Sequence, residues 1–338
     1  MKRAASPEFG GTMRNFNAFG AEFVCLFLSI LVVHAPSYAQ QPYPGQAIQL
    51  VISTTPGDTL DLSGRAIGSE LSRILRTPVV PLNKTGASGS VGADFVVRSK
   101  KDGYTILYIN SNIIYGYAAN PAETPYNPFQ DLEPVCLAVS VPLLIAVQAA
   151  SPWKTIQELI TYAKQNPGKL RGSSTGMGSV GHFGYEVIRA ETGGEIVNIP
   201  YKGASPGMTA LLGGIVEVAI PSPTLASPHV KSGKVRVLLA SKRSPDFPQA
   251  PTLTELGYRR DMSSVWMGFF LPAGVYDSVK QVLLSGLKRS IQSAELSDIL
   301  RNLGAVVDYR SPEEFRTMIT EDYEMVKSLQ KASIPASK

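Results

Sequence analysis

Three glycine-bearing loops hold the residues best suited to chemistry: Pro56-Gly57-Asp58-Thr59-Leu60-Asp61, Gly86-Ala87-Ser88-Gly89-Ser90 and Ser174-Thr175-Gly176-Met177-Gly178-Ser179. Each follows a β-type run and precedes residues with helical spacing. At such a junction the first amide N–H groups of the helix have no internal partner, and the positive end of the helix dipole points the same way, so an anion is held without a buried cationic side chain. A carboxylate is one such anion. A glycine also serves simply to permit a tight turn. The recurrence of the pattern in both halves of the chain, each time beside hydroxyls, favours a ligand.

Two other chemistries share these residues. Gly172-Ser173-Ser174-Thr175-Gly176 has nucleophile-elbow spacing, which would make the chain a secreted α/β hydrolase using Ser174. The partners are scarce: beyond the first 39 residues only His182 and His229 remain, and no Asp lies between 175 and 229. Ser174 reads instead as a hydrogen-bond donor to a ligand. Gly176, Gly178 and Gly181 match the dinucleotide fingerprint with Glu195 beyond, yet the following strand ends in Pro200-Tyr201-Lys202, where that fold needs its acid. His182, third in a helix capped by Ser179, either faces a cleft or closes the helix start, and one histidine offers too few ligands for a metal. Asp58 and Asp61 are spaced as cap and third residue, so capping and ligand contact are both open. Trp266, with Phe269 and Phe270, reads as core more readily than as cleft.

Positioning these loops requires alternating elements. Ala47–Ser53 reads as a strand, and Ile67, Leu71, Ile74 and Leu75 form a helical stripe. The unit repeats: strand 78–82, loop 86–92, helix 93–100, strand 104–110. A second series follows Pro142: a helix opened by Thr155-Ile156-Gln157-Glu158, strand 169–173, helix 179–191, strand 195–199, a helix capped at Ser205-Pro206, and strand 216–220. The run Val265–Leu271 returns to the first set, and two helices finish the chain, the second opened by Ser311-Pro312-Glu313-Glu314. Alternation of this kind predicts parallel sheets covered by helices.

The 338 residues are 44% hydrophobic and 17% charged, with 30 Gly and 25 Pro spread along the chain, which excludes disordered, collagen-like and coiled-coil classes. The longest apolar run, Phe23–Val33, is too short for a spanning helix, follows Arg14 and leads to Ser37-Tyr38-Ala39. It reads as an export signal within residues 1–39, with Met13 as the translation start. Its removal takes Lys2, Arg3 and Arg14 from 32 basic residues, and Glu8 and Glu22 from 27 acidic ones, leaving an excess of only four positive charges. No nucleic-acid surface follows from that. Cys25 leaves with the signal, so Cys136 is alone and forms neither disulfide nor thiol cluster.

The order of these pieces resembles the Bug family, extracytoplasmic solute receptors of tripartite tricarboxylate transporters. The matching stretches are Tyr43-Pro44, PGDTLDLSGR (56–65), NKTGASGSVGA (83–93), DGYT (102–105), PYNPFQDLEPV (125–135), NPGKLRGSSTGMGSVGH (166–182), PYKGASPGMTALLGG (200–214) and PHVKSGKVRVLLASKRS (228–244). The resemblance implies an α/β, two-lobed periplasmic binding protein, type II-like, with two crossover strands. It implies residues 41–139 plus 263–338 as one lobe and 140–262 as the other, hinged near 139 and 263. It also implies a monomer without enzymatic activity or cofactor that captures a small carboxylate for membrane transporter subunits. A receptor feeding a sensor kinase would share the same residues. The ligand-binding set is Gly57, Asp58, Thr59, Asp61, Asn110, Ser111, Ser174, Thr175, Gly178, Ser179, His182 and Ser222, with no metal ligand. Where the family usually has Gly-Gly-Gly-Thr-Asp, this chain has Gly57-Asp58-Thr59-Leu60-Asp61. An acid beside a carboxylate is tolerated if it only caps the helix, or if the ligand brings a cationic or hydrogen-donating group.

Overall fold

The computed structural model describes residues 43–244 and 246–333. The export signal expected at residues 1–39 lies outside them. Among the described residues no helix is long and apolar enough to cross a membrane.

Two sheets organise the chain. The first has six strands in the order β11-β4-β10-β3-β1-β2, formed by β1 (Ile48–Ile52), β2 (Val79–Asn83), β3 (Thr105–Asn110), β4 (Leu132–Val141), β10 (Val265–Pro272) and β11 (Val306–Arg310). The second has five, β7-β6-β8-β5-β9, from β5 (Leu144–Gln148), β6 (Arg171–Ser174), β7 (Val197–Pro200), β8 (Val218–Ala219) and β9 (Val235–Ala240). The chain crosses between sheets twice, at Pro142-Leu143 and through residues 241–264. The molecule is therefore two-lobed, and each sheet seats one lobe.

Both sheets are mixed, which corrects the all-parallel expectation. β1, β2 and β3 pair in parallel, whereas β10 runs antiparallel to β3 and β4. In the second sheet β6, β7 and β8 are parallel and β5 is antiparallel to β8 and β9. β10 and β5 are reversed because each arrives from the other lobe without the helical crossover that keeps neighbours parallel, and the edge strand β11 also runs antiparallel to β4.

Helices cover the sheets: α1 (Thr59–Leu75), α2 (Ser90–Val97), α3 (Asn112–Ala119), α4 (Ile156–Gln165), α5 (Val180–Thr192), α6 (Ala204–Leu212), α7 (Pro223–Lys231), α8 (Asp277–Ile291), α9 (Ala294–Asn302) and α10 (Pro312–Ser333). The C-terminal part expected to hold two helices holds three and a strand, because Gly304, at φ +72°, turns the chain out of α9 into β11. α6 starts at Ala204 behind Gly203 and not at the expected Ser205-Pro206 cap. Thr155 caps α4 by accepting from the Glu158 amide at 3.2 Å, and Ser311 and Glu314 form a reciprocal box at 2.8 and 3.3 Å.

The first lobe is cored on one face by Ile48, Leu50, Ile67, Leu71 and Phe269, and on the other by Ile109, Ile113, Trp266, Phe270 and Phe315. The second is cored by Ile145, Val147, Leu159, Val187 and Leu238. Tyr115 from α3 and Val326 and Leu329 from α10 join this last cluster, so elements of the first lobe close against the second. Tyr115 packs on Phe183 of α5 with ring centroids 5.7 Å apart.

Candidate functional site in the crevice between lobes

The start of α1 is organised by two carboxylates. Asp58 is its N-cap, with φ −85° and ψ 173°, and accepts from the Asp61 amide at 2.9 Å and from the Thr54 hydroxyl. Asp61 is buried and accepts from the Gly57 amide at 2.9 Å, from Arg65 Nε at 2.9 Å and from Asn83 Nδ2 at 2.8 Å. Burial pushes its carboxyl up, but the bonds from Arg65, Asn83 and Gly57 outweigh it and hold the group below the ordinary Asp range. Gly57, at φ +94°, supplies the left-handed turn this closure needs.

The second lobe offers two helix starts. Ser179 caps α5 by accepting from His182 N at 3.2 Å, and its hydroxyl donates to the Gly176 carbonyl at 2.8 Å. The amides of Val180 and Gly181, at the first two helical positions, lie ahead of any intrahelical partner. α6 has no side-chain cap: Gly203, at φ +126°, precedes it, and Pro206 brings no N–H of its own.

Residues of both lobes line one crevice of about 450 Å³. The first lobe gives it Thr54, Asp58, Thr59, Leu60, Asn110, Asn112 and Met267, and the second Thr175, Val180, Gly181, Gly203, Ala204, Ile220 and Ser222, while Val141, Leu143 and Val265, at or beside the crossings, line it as well. Its size lies within the range of small-ligand sites, and apolar walls with few polar groups are what such sites offer.

Of the twelve residues expected from sequence, Asp58, Thr59, Asn110, Thr175 and Ser222 line this crevice. Gly57 and Asp61 are not among its lining, and the Gly57 amide donates to Asp61. Ser111 is fully buried, and its hydroxyl finds no partner among the described residues. Ser174 is buried, donating to the Gly176 carbonyl at 3.1 Å and accepting the Gly176 amide at 3.2 Å, which spends its hydroxyl on the loop. Ser179 spends its own on capping. Gly178 and His182 turn away from the crevice: the Gly178 amide donates to His182 Nδ1 at 3.2 Å, and both line a different cavity, of about 980 Å³, beside α3 and the end of α10. Burial pushes the His182 pKa down, against the field of Glu186. Glu186, four residues on, pairs with Arg189 at 2.6 Å.

The lining residues outside the expected set include the apolar Leu60, Val141, Leu143, Val180, Ile220, Val265 and Met267, and also Thr54, Asn112, Gly181, Gly203 and Ala204. The signal for the last two was present, because Pro200-Tyr201-Lys202-Gly203 is another strand-to-helix junction with a glycine. Reading Ser205 as the cap moved the helix start past it.

The comparisons agree with this architecture. Residues 64–333 match the model of the tripartite tricarboxylate transporter family receptor, TctC. The chain belongs to that receptor family. Protein BugT of Bordetella pertussis is 31% identical over 301 residues, spanning 88% of this chain and 92% of that protein. A TctC solute-binding protein from Polaromonas, solved without ligand, superposes with a TM-score of 0.76 at 26% identity, covering 86% of this chain and 99% of that one. The R. palustris protein Rpa4515, solved with adipate, superposes with a TM-score of 0.71 at 27% identity over 86% and 97% of the two chains. The receptor is thus a solute-binding protein and not an enzyme, in keeping with a Ser174 that serves its own loop.

Proposed function

We propose that the receptor captures a small carboxylate, either a dicarboxylate, an aromatic acid or an acidic amino acid, in the crevice between its lobes. The ligand carboxylate sits against the amides that begin α5 and α6, and hydroxyls and amides of Thr59, Asn110, Thr175 and Ser222 complete its hydrogen bonds. Closure of the lobes takes the anion out of water, and contact with both lobes at once populates the closed state. The membrane subunits of a tripartite transporter then receive the ligand from the closed, monomeric receptor. Residues 1–39 direct it to the periplasm and are removed there.

The observation that carries this reading is one crevice that draws on helix starts from both lobes, at Asp58-Thr59, Val180-Gly181 and Gly203-Ala204. The adipate named with the R. palustris relative adds chemical support. A thermal-shift screen of the purified receptor over dicarboxylates, aromatic acids and acidic amino acids tests it, since a ligand of the native state raises the melting temperature by mass action. A panel in which no carboxylate moves the transition refutes it. Mass spectrometry of the periplasmic protein tests export, with a first residue near Gln40 expected.

A further inference from the structure

The described lining of the crevice contains one ionised side chain, Asp58, and neither lysine nor arginine. Its carboxylate is fixed in place by the Asp61 amide and the Thr54 hydroxyl, yet each oxygen keeps acceptor capacity beyond those bonds. Arg65, the cation nearest in the same helix, is already held by Asp61 at 2.9 Å and by Asn83 at 2.6 Å. The dipole of α1 is in turn shared between two acids, Asp58 and the buried Asp61, so it offsets only part of the Asp58 charge.

While the crevice is open, water solvates Asp58, which is exposed. Closure withdraws that water, and a carboxylate without a counter-charge then opposes closure. A guest with a second carboxylate at this end adds like-charge repulsion. A guest with a protonated nitrogen there removes both penalties, while its own carboxylate reaches the helix starts of the other lobe. We infer that the receptor selects carboxylates that also carry a protonated nitrogen, and that Asp58 is the residue that selects them. This rests on the carboxylate-receptor reading above and narrows it to zwitterionic ligands.

Matched pairs in which a protonated aminomethyl group replaces one carboxylate test it by titration calorimetry: succinate against 4-aminobutanoate, glutarate against 5-aminopentanoate, adipate against 6-aminohexanoate, and terephthalate against 4-(aminomethyl)benzoate. The substitution Asp58→Asn removes the charge but keeps an equally good helix cap, so the fold is retained. In at least one pair the wild type is expected to bind the amine-bearing member about tenfold or more tightly than the diacid, and Asp58→Asn to erase that preference. Diacids bound as tightly as or more tightly than their partners, or a preference that survives Asp58→Asn, overturns the inference while leaving the carboxylate reading intact. If no member of any pair binds the wild type, both fall together.

Discussion

Asp61 accepts the amide N–H of Gly57 at 2.9 Å, so a carboxylate in the first turn of α1 closes the loop that precedes it. With Asp58 on the Asp61 amide, the chain's own acids occupy much of the anion-attracting end of this helix. Under the proposed function the guest carboxylate goes to the second lobe, where α6 begins without a side-chain cap.

The Asp61 network is expected to stabilise the loop and the fold together. Asp61→Ala leaves the Gly57 amide and Asn83 without their acceptor, at a cost on the order of 2–3 kcal/mol in urea unfolding at neutral pH. The pH dependence has a definite sign. The folded-state pKa lies below the ordinary value of about 3.9, so the contribution is present above that pH and is lost as pH falls through the folded value. The stability gap between wild type and Asp61→Asn should shrink below about pH 4, and a gap that widens in acid refutes this role.

Much of this was legible in the sequence because it is local. The Ser179 cap, the Asp58 cap that spacing left open beside ligand contact, and the glycine turn at Gly57 depend on residues within one turn of each other. What escaped depends on distant chain. β11 pairs with β4, more than 160 residues earlier, and its side chains are only partly buried, which blunts an alternating pattern. The direction in which His182 points is settled by α3 and α10 packing beside α5, and no short-range pattern carries that. The lining contribution of Gly203 was missed because Ser205, two residues later, was read as the helix cap.

Anion capture at α6 is tested by adding an anion covalently. Ala204 is the first residue of that helix and lines the crevice. Ala204→Asp puts a carboxylate where the helix dipole welcomes it, so stability is expected to hold or to rise by about 0.3–1 kcal/mol. Ligand binding should fall at least about a hundredfold, because the amides are satisfied and the crevice gains a charge. Gly178→Asp makes the contrast, since Gly178 faces the other cavity. Its cost is one of backbone strain at φ +75°, about 1 kcal/mol or more, with a smaller loss of affinity. Calorimetry giving the two variants the reverse order would move the site to the cavity beside α3.

The Ser241 hydroxyl and main chain together tie the two crossing segments. Ser241 Oγ accepts the Leu143 amide at 2.9 Å and lies 2.8 Å from Ser264 Oγ, while the Ser241 amide donates to the Leu143 carbonyl at 2.8 Å. Ser241→Ala leaves the Leu143 N–H buried without that acceptor, a loss of about 1–3 kcal/mol in chemical denaturation. Because the break lies where the chain passes between lobes, small-angle scattering of the unliganded variant should also report a broader spread of lobe separations than the wild type. A variant with unchanged stability and an unchanged scattering profile would show that the hydroxyl does not couple the segments.

Asp322 does comparable work from α10. Its carboxylate accepts from Trp266 Nε1 at 2.8 Å, Tyr115 OH at 3.1 Å and Ser263 Oγ at 3.3 Å, joining the last helix to β10, to α3 and to the second crossing. Burial pushes its carboxyl up, and the three donors only partly restore it. Asp322→Ala strands the buried indole N–H and is expected to cost about 2–4 kcal/mol, whereas Asp322→Asn keeps an acceptor and should cost less than half as much. Since the folded-state pKa is raised, the ionised group is tolerated more than favoured, and the isosteric neutral variant should gain on the wild type as pH rises from about 4 to 7. Urea midpoints across that range decide the matter: a wild type that gains on Asp322→Asn with rising pH would make the ionised carboxylate the stabilising form, and the ordering of the two variants would then rest on charge and not on hydrogen-bond count.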